Sequence, residues 1–169
     1  SAIIVAQEGQ VVLADGYGLA NREHGVPNRS ETRFMIGSLA KQFTAAAILK
    51  LEQEGRLSVD DPIGKHLPDY PEGPGSKVTL HQLLTHSSGI PSYGRRGDGL
   101  EELERQQASA VTLSEIIAHS SGRELLHEPG SRYRYSNTGY AILAAIVVRV
   151  SGGRFEDYMR SALFEPAGL

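Results

Sequence analysis

Hydrophobic and polar positions first follow the pattern of short strands and then settle into helical spacing along the chain. Residues 2–6 and 11–17 are β-rich runs parted by Gln7-Glu8-Gly9-Gln10, and Gly9 supplies the positive φ that a tight hairpin wants. A hairpin therefore opens the chain. After a polar loop, residues 39–54 place Leu39, Phe43, Ala46, Ala47, Leu49 and Leu51 at helical spacing and stop at Gly55, which predicts a central helix. Asp61-Pro62 reads as an N-cap and a first-turn proline for a short helix. Thr79-x-x-Gln82 and Thr112-x-x-Glu115 each fit a capping box at the head of a short helix. Residues 87–99 are rich in Gly, Ser and Arg and read as loop. Residues 140–150 make a strongly apolar helix closed by Ser151-Gly152-Gly153, and residues 155–163 a last helix. No internal repeat, low-complexity tract or linker interrupts the pattern, so residues 1–169 read as one domain.

Composition narrows the function classes. With 40% hydrophobic and 22% charged residues in 169, the chain has the mix of a globular protein that can bury a sizeable core. The net charge of −3 and the short, separated basic pairs Arg95-Arg96 and Arg132/Arg134 argue against a nucleic-acid partner. The longest apolar run, residues 141–148, is far below the roughly 20 residues a bilayer requires, so it reads as a buried helix and no membrane span is expected. The absence of cysteine excludes disulfides, thiolate metal sites and a cysteine nucleophile, and leaves the redox compartment open. The first residues, Ser1-Ala2-Ile3-Ile4-Val5-Ala6, read as a strand rather than as the charged and apolar regions of a signal peptide.

The candidate chemistry lies at two loop-to-helix junctions. In Gly37-Ser38-Leu39-Ala40-Lys41, Ser38 stands at the positive end of the central helix, where developing negative charge is stabilised. Lys41, three residues on, shares its helix face at a Cβ separation of roughly 5–6 Å. A serine nucleophile needs a base, and an amine serves only when burial or neighbouring positive charge favours its neutral form. The same residues also fit a serine N-cap followed by a solvated lysine. Tyr135-Ser136-Asn137 precedes the apolar helix in a loop that begins Glu128-Pro129-Gly130, where a phenol could relay protons in a cleft. It fits equally a half-buried tyrosine followed by an asparagine N-cap.

Four ordered segments carry a resemblance that covers nearly the whole chain. Phe34-Met35-Ile36-Gly37-Ser38-Leu39-Ala40-Lys41-Gln42-Phe43-Thr44 resembles the nucleophile segment of the serine β-lactamase and penicillin-binding protein superfamily, in its class C-like branch. Gly55-Arg56-Leu57-Ser58-Val59-Asp60-Asp61-Pro62-Ile63 resembles the loop that follows, and Leu83-Leu84-Thr85-His86-Ser87-Ser88-Gly89-Ile90 a turn typical of the same proteins. Glu128-Pro129-Gly130-Ser131-Arg132-Tyr133-Arg134-Tyr135-Ser136-Asn137 is similar to their second motif.

The resemblance implies an α+β, β-lactamase/transpeptidase-like fold, here a helix-rich partial fold with an N-terminal β-hairpin and without the C-terminal sheet strands. It implies that Ser38 is acylated and gives one oxyanion-hole N–H, that Lys41 and Tyr135 share the general acid and base work, and that Asn137 holds Lys41 and the substrate amide. It makes His86 part of a structural turn. No two of the six histidines have metal-ligand spacing, which argues against zinc, and the acyl-transfer chemistry the resemblance implies needs neither a metal nor an organic cofactor. The partner is then a small-molecule acyl substrate, whether β-lactam, D-Ala-D-Ala peptide or ester, in a periplasmic or extracellular setting, with the cytoplasm left open. The family's third motif, K-T-G or H-x-G, and three sheet strands would follow Leu169. That shortfall predicts self-association, or a second chain that supplies the strands. A rival reading is a non-catalytic module that binds ligand or complements a partner.

Overall fold

A computed structural model describes residues 1–93, 112–121 and 123–169, in two compact units, Ser1–Ser38 and Leu39–Leu169. Residues 94–99 of the expected Gly/Ser/Arg-rich loop lie outside the described residues. In the first unit, β1 (Ala2–Gln7) and β2 (Gln10–Gly16) pair antiparallel, from Ala2 opposite Gly16 to Gln7 opposite Gln10. Glu8 and Gly9 both take positive φ, 49° and 79°, as a two-residue turn matched to strand twist requires. Val5 faces Leu13 while Ala6 faces Val11, so Val12 is an extra, bulged residue. A second pair, β3 (Leu19–Asn21) with β4 (Val26–Pro27), was not foreseen. Its strands are too short for an alternating pattern to register. Asn28 is buried and ties this loop down, donating from Nδ2 to the Tyr17 carbonyl at 2.9 Å and from its N–H to the Gly18 carbonyl at 2.8 Å.

The second unit is helical. α1 (Ala40–Gln53) buries Thr44, Ala47, Ile48 and Leu51, a stripe at i, i+3, i+4 and i+7. It closes with the Gly55 N–H on the Glu52 carbonyl and the Arg56 N–H on the Leu51 carbonyl, a Schellman pair. α2 (Ile63–His66) begins one residue later than the Asp61-Pro62 pattern implies. Pro62 has ψ 154°, so it is itself the cap residue. The Asp61 carboxylate instead accepts from the Ser58 N–H at 2.9 Å, Lys65 Nζ at 2.6 Å and His66 Nε2 at 2.9 Å.

α3 (Leu80–Leu84) opens on the expected capping box, with the Gln82 N–H on Thr79 Oγ1 and the Thr79 N–H on Gln82 Oε1. α4 (Leu113–Ser121) opens on the matching Thr112 and Glu115 pair. α5 (Asn137–Ser151) crosses the unit and packs on α1, α3 and α4, burying Ile142, Leu143, Ile146 and Val147 against Ile48, Leu51, Leu80 and Leu83. α6 (Phe155–Met159) runs on through a wider turn over Arg160–Phe164, where Phe164 meets Phe43 of α1 edge-on at 5.4 Å. No helix among the described residues is long and apolar enough to cross a membrane.

Candidate active site

The head of α1 is a 3₁₀ turn, Gly37–Leu39, that carries Ser38 and runs directly into Ala40. The N-cap position falls on Leu39, so the capping role considered for Ser38 is not the one this residue has. Lys41, in the first turn of α1, reaches the head of α5. Its Nζ donates to Asn137 Oδ1 at 2.9 Å, across a sequence separation of 96 residues.

Asn137 can serve in this way because the cap of α5 is Ser136, whose Oγ accepts the Gly139 N–H at 3.2 Å. That corrects the alternative in which Asn137 caps the helix: Asn137 is already its first helical residue, and its carboxamide lies across to Lys41. The Asn137 N–H is taken by Ser92 Oγ at 2.9 Å, and the Tyr93 N–H by Thr138 Oγ1 at 3.0 Å, so residues 92–93 are sewn to the start of α5. With Oδ1 occupied by the ammonium, the Asn137 amide group is directed toward the Tyr93 carbonyl, 3.5 Å away.

Tyr135 stands just before the cap, and Lys41 Nζ lies 5.0 Å from its ring centroid and 5.6 Å from that of Tyr140. An ammonium so placed is attracted to the ring faces as well as to the carboxamide. Burial, and after it the neighbouring Tyr135 and Tyr133, push the Tyr140 phenol above its ordinary range, and its Oη donates to the Leu84 carbonyl at 3.1 Å.

One further residue joins the group that the sequence reading had assigned only to a turn. The His86 ring packs against Tyr135 at 4.5 Å and against Tyr140 at 5.0 Å, tilted by 34° and 39°, and meets Tyr133 edge-on at 5.8 Å. Its Nδ1 accepts the Ser136 N–H at 3.2 Å. Burial, and then the charge of Lys41, hold its imidazole below the usual value and so favour the neutral ring. Ser92 was missed as well, because a lone buried serine in a loop carries no periodic signal.

Lys41, Tyr135, Asn137 and His86 thus form one cluster at the facing heads of α1 and α5 and the tail of α3. Chemically it offers an amino group, a tyrosine whose ring centroid lies 5.0 Å from that nitrogen, and a carboxamide whose oxygen accepts from it. No set of three or more His, Asp or Glu side chains able to hold a metal occurs among the described residues. An apolar cavity of about 400 Å³ between the segment after α2 and α4, bounded by Leu67, Tyr70, Pro71 and Ile117, contains none of these four residues.

These features coincide with one protein class, and the residue pattern of the Beta-lactamase family matches residues 1–169, so the chain belongs to that family. It is 30% identical over 167 residues to penicillin-binding protein 4* of Bacillus subtilis, covering 99% of this chain and 36% of that protein. It superposes with a TM-score of 0.84 on the octameric penicillin-binding protein homologue from Pyrococcus abyssi, at 40% identity over 99% of this chain and 38% of that one. It also superposes, with a TM-score of 0.76, on D-alanine carboxypeptidase AmpC from Burkholderia cenocepacia, at 29% identity over 99% of this chain and 42% of that one. The chain spans 33–39% of the length of the curated relatives it matches.

Proposed function

We propose that this chain carries the nucleophile and proton-handling residues of a serine hydrolase that works through an acyl-enzyme on β-lactam, D-Ala-D-Ala peptide or ester substrates. The observation that carries the reading is the Lys41 Nζ to Asn137 Oδ1 bond of 2.9 Å with the Tyr135 ring 5.0 Å from the same Nζ, one helical turn beyond Ser38 in the chain. Membership of the Beta-lactamase family and likeness to a D-alanine carboxypeptidase support it.

In this reading Ser38 Oγ attacks the carbonyl carbon while its proton passes to the Lys41 and Tyr135 pair. The Oγ–C bond forms, the scissile C–N or C–O bond breaks, and the proton is handed to the leaving amine or alkoxide. A water then attacks the ester, regenerating Ser38 and releasing the acid. Asn137 keeps the Lys41 stem aimed and offers its amide group to the substrate. The N-terminal end of α1 stabilises the oxyanion, with the Ser38 N–H as one donor.

The test is turnover of an activated ester and a chromogenic β-lactam by the full-length protein. Lys41→Ala and Tyr135→Phe should each lower kcat by about 100-fold or more, the scale of a positioned proton-transfer group. Near-normal turnover in either variant, with unchanged circular dichroism, removes that residue from the mechanism.

A further inference from the structure

The backbone at His86 adopts a conformation uncommon outside glycine. After α3 the chain closes as a Schellman pair, with the His86 N–H on the Leu83 carbonyl at 3.1 Å and the Ser87 N–H on the Gln82 carbonyl at 2.9 Å. This puts His86 at the left-handed position with φ 56°, where helices commonly end in glycine because a Cβ is disfavoured there. A strained non-glycine is kept where its side chain has a use.

Several neighbours hold the ring. Tyr135 and Tyr140 pack against it, Tyr133 meets its edge, the Ser136 N–H points at Nδ1, and the Arg134 N–H bonds its backbone carbonyl at 2.7 Å. An N–H donor at Nδ1 requires the tautomer that carries its proton on Nε2. The Ser136 N–H belongs to the residue directly after Tyr135, so this bond and the ring packing fix Tyr135 from two directions. We propose that His86 is a positioning residue for Tyr135, holding the phenol beside the Lys41 amine through its Nδ1 bond to the Ser136 N–H and its packing against the Tyr135 ring. The proposal rests on the reading that Tyr135 and Lys41 move protons in the reaction.

A dependence on pH follows. The groups facing the imidazole are Lys41 from α1, Tyr133 and Tyr135 from the loop before α5, and Tyr140 from α5. Protonation would set an Nδ1–H against the Ser136 N–H and add a second cation near Lys41. Both effects push the ring, and Tyr135 with it, out of place. The arrangement is therefore intact at neutral and alkaline pH and is lost as pH falls through the depressed value of His86.

The experiment compares pH profiles of kcat and KM, with an activated ester, for the full-length wild type, His86→Asn, His86→Phe and Tyr135→Phe. Asparagine tolerates positive φ and offers Oδ1 as an acceptor without titrating, whereas phenylalanine keeps a ring and loses the acceptor. His86→Phe should lower kcat about 10- to 100-fold, the cost of misplacing a reacting group, with KM nearly unchanged. His86→Asn should lower kcat less, and its acid limb should be one proton shallower than that of the wild type. Nitrogen-15 NMR of the wild-type imidazole should show an unprotonated Nδ1 and a protonated Nε2 at pH 7. Superimposable acid limbs for His86→Asn and the wild type, or full kcat in His86→Phe while Tyr135→Phe is impaired, would overturn the proposal. Full activity in Tyr135→Phe would instead strike at the mechanism it rests on. The tautomer then decides the His86 contact alone, and an Nδ1–H overturns it.

Discussion

Ser38 and Lys41 are three residues apart in the chain, and a pattern that local can be read from the sequence. Asn137 is 96 residues from Lys41, and no periodicity predicts their 2.9 Å bond. Its place beside Lys41 was legible only through the Tyr135-Ser136-Asn137 motif and the resemblance it carries. His86 was visible as a residue but not as a neighbour of Tyr135, because packing across the tail of α3 and the head of α5 is tertiary information. A histidine standing where a helix closes without glycine is the one local hint. The Asn137 bond also makes a prediction at this scale. Asn137→Ala removes a carboxamide that engages both Lys41 and residues 92–93, so it should lower kcat and raise KM together, by about 10-fold or more in kcat/KM. A change confined to KM would leave Asn137 with substrate contact alone.

Elements were the most legible level, because a 3.6-residue period and a capping box lie within one short window. α1, α3, α4 and α5 all form where their sequence signals lie, with shifted ends: α2 is capped by Pro62 rather than Asp61, α5 starts at Asn137, three residues before its apolar run, and the last helix changes to a wider turn after Met159. Asp61, released from capping, gives a pH prediction. Burial raises its carboxyl, but the bonds from Lys65, the Ser58 N–H and His66 prevail and bring it from 3.8 down to about 2. A depressed carboxylate stabilises the fold above its unfolded value and ceases to do so as pH falls through the folded one. The urea midpoint of the wild type should therefore exceed that of Asp61→Asn at pH 6, and the gap should close between about pH 4 and pH 2. A gap that persists at pH 2 assigns the loss to packing instead. Gly89 gives a second test: its φ is +78° and a Cβ there would stand 2.3 Å from the His127 carbonyl oxygen. Gly89→Ala must strain both the turn and its pairing with the segment before α5, where the Leu126 N–H meets the Gly89 carbonyl at 2.8 Å. It should cost about 3 kcal/mol by calorimetry or urea unfolding, and a loss below about 1 kcal/mol would contradict the close approach.

At the scale of the molecule, the N-terminal hairpin presents apolar side chains on both of its faces: Ile4 is 64% and Val11 62% exposed, with Ile3, Val5, Val12 and Leu13 also open. A two-stranded ribbon of this kind is marginal alone, and its outer edges have unpaired backbone groups. The 169-residue chain, produced by itself, should therefore self-associate in light scattering, and Ile4→Lys with Val11→Lys should shift it toward monomer. A stable monomer at high concentration, with slow amide exchange throughout the hairpin, would contradict this. The central claim, however, is chemical, and it concerns one oxygen atom. Intact-mass spectrometry and peptide mapping of the full-length protein after treatment with a penicillin or an activated ester test it most directly. The account predicts a single acyl adduct, mapped to Ser38 and absent from Ser38→Ala; an adduct that persists in Ser38→Ala, or that maps to Ser87 or Ser136, would contradict it.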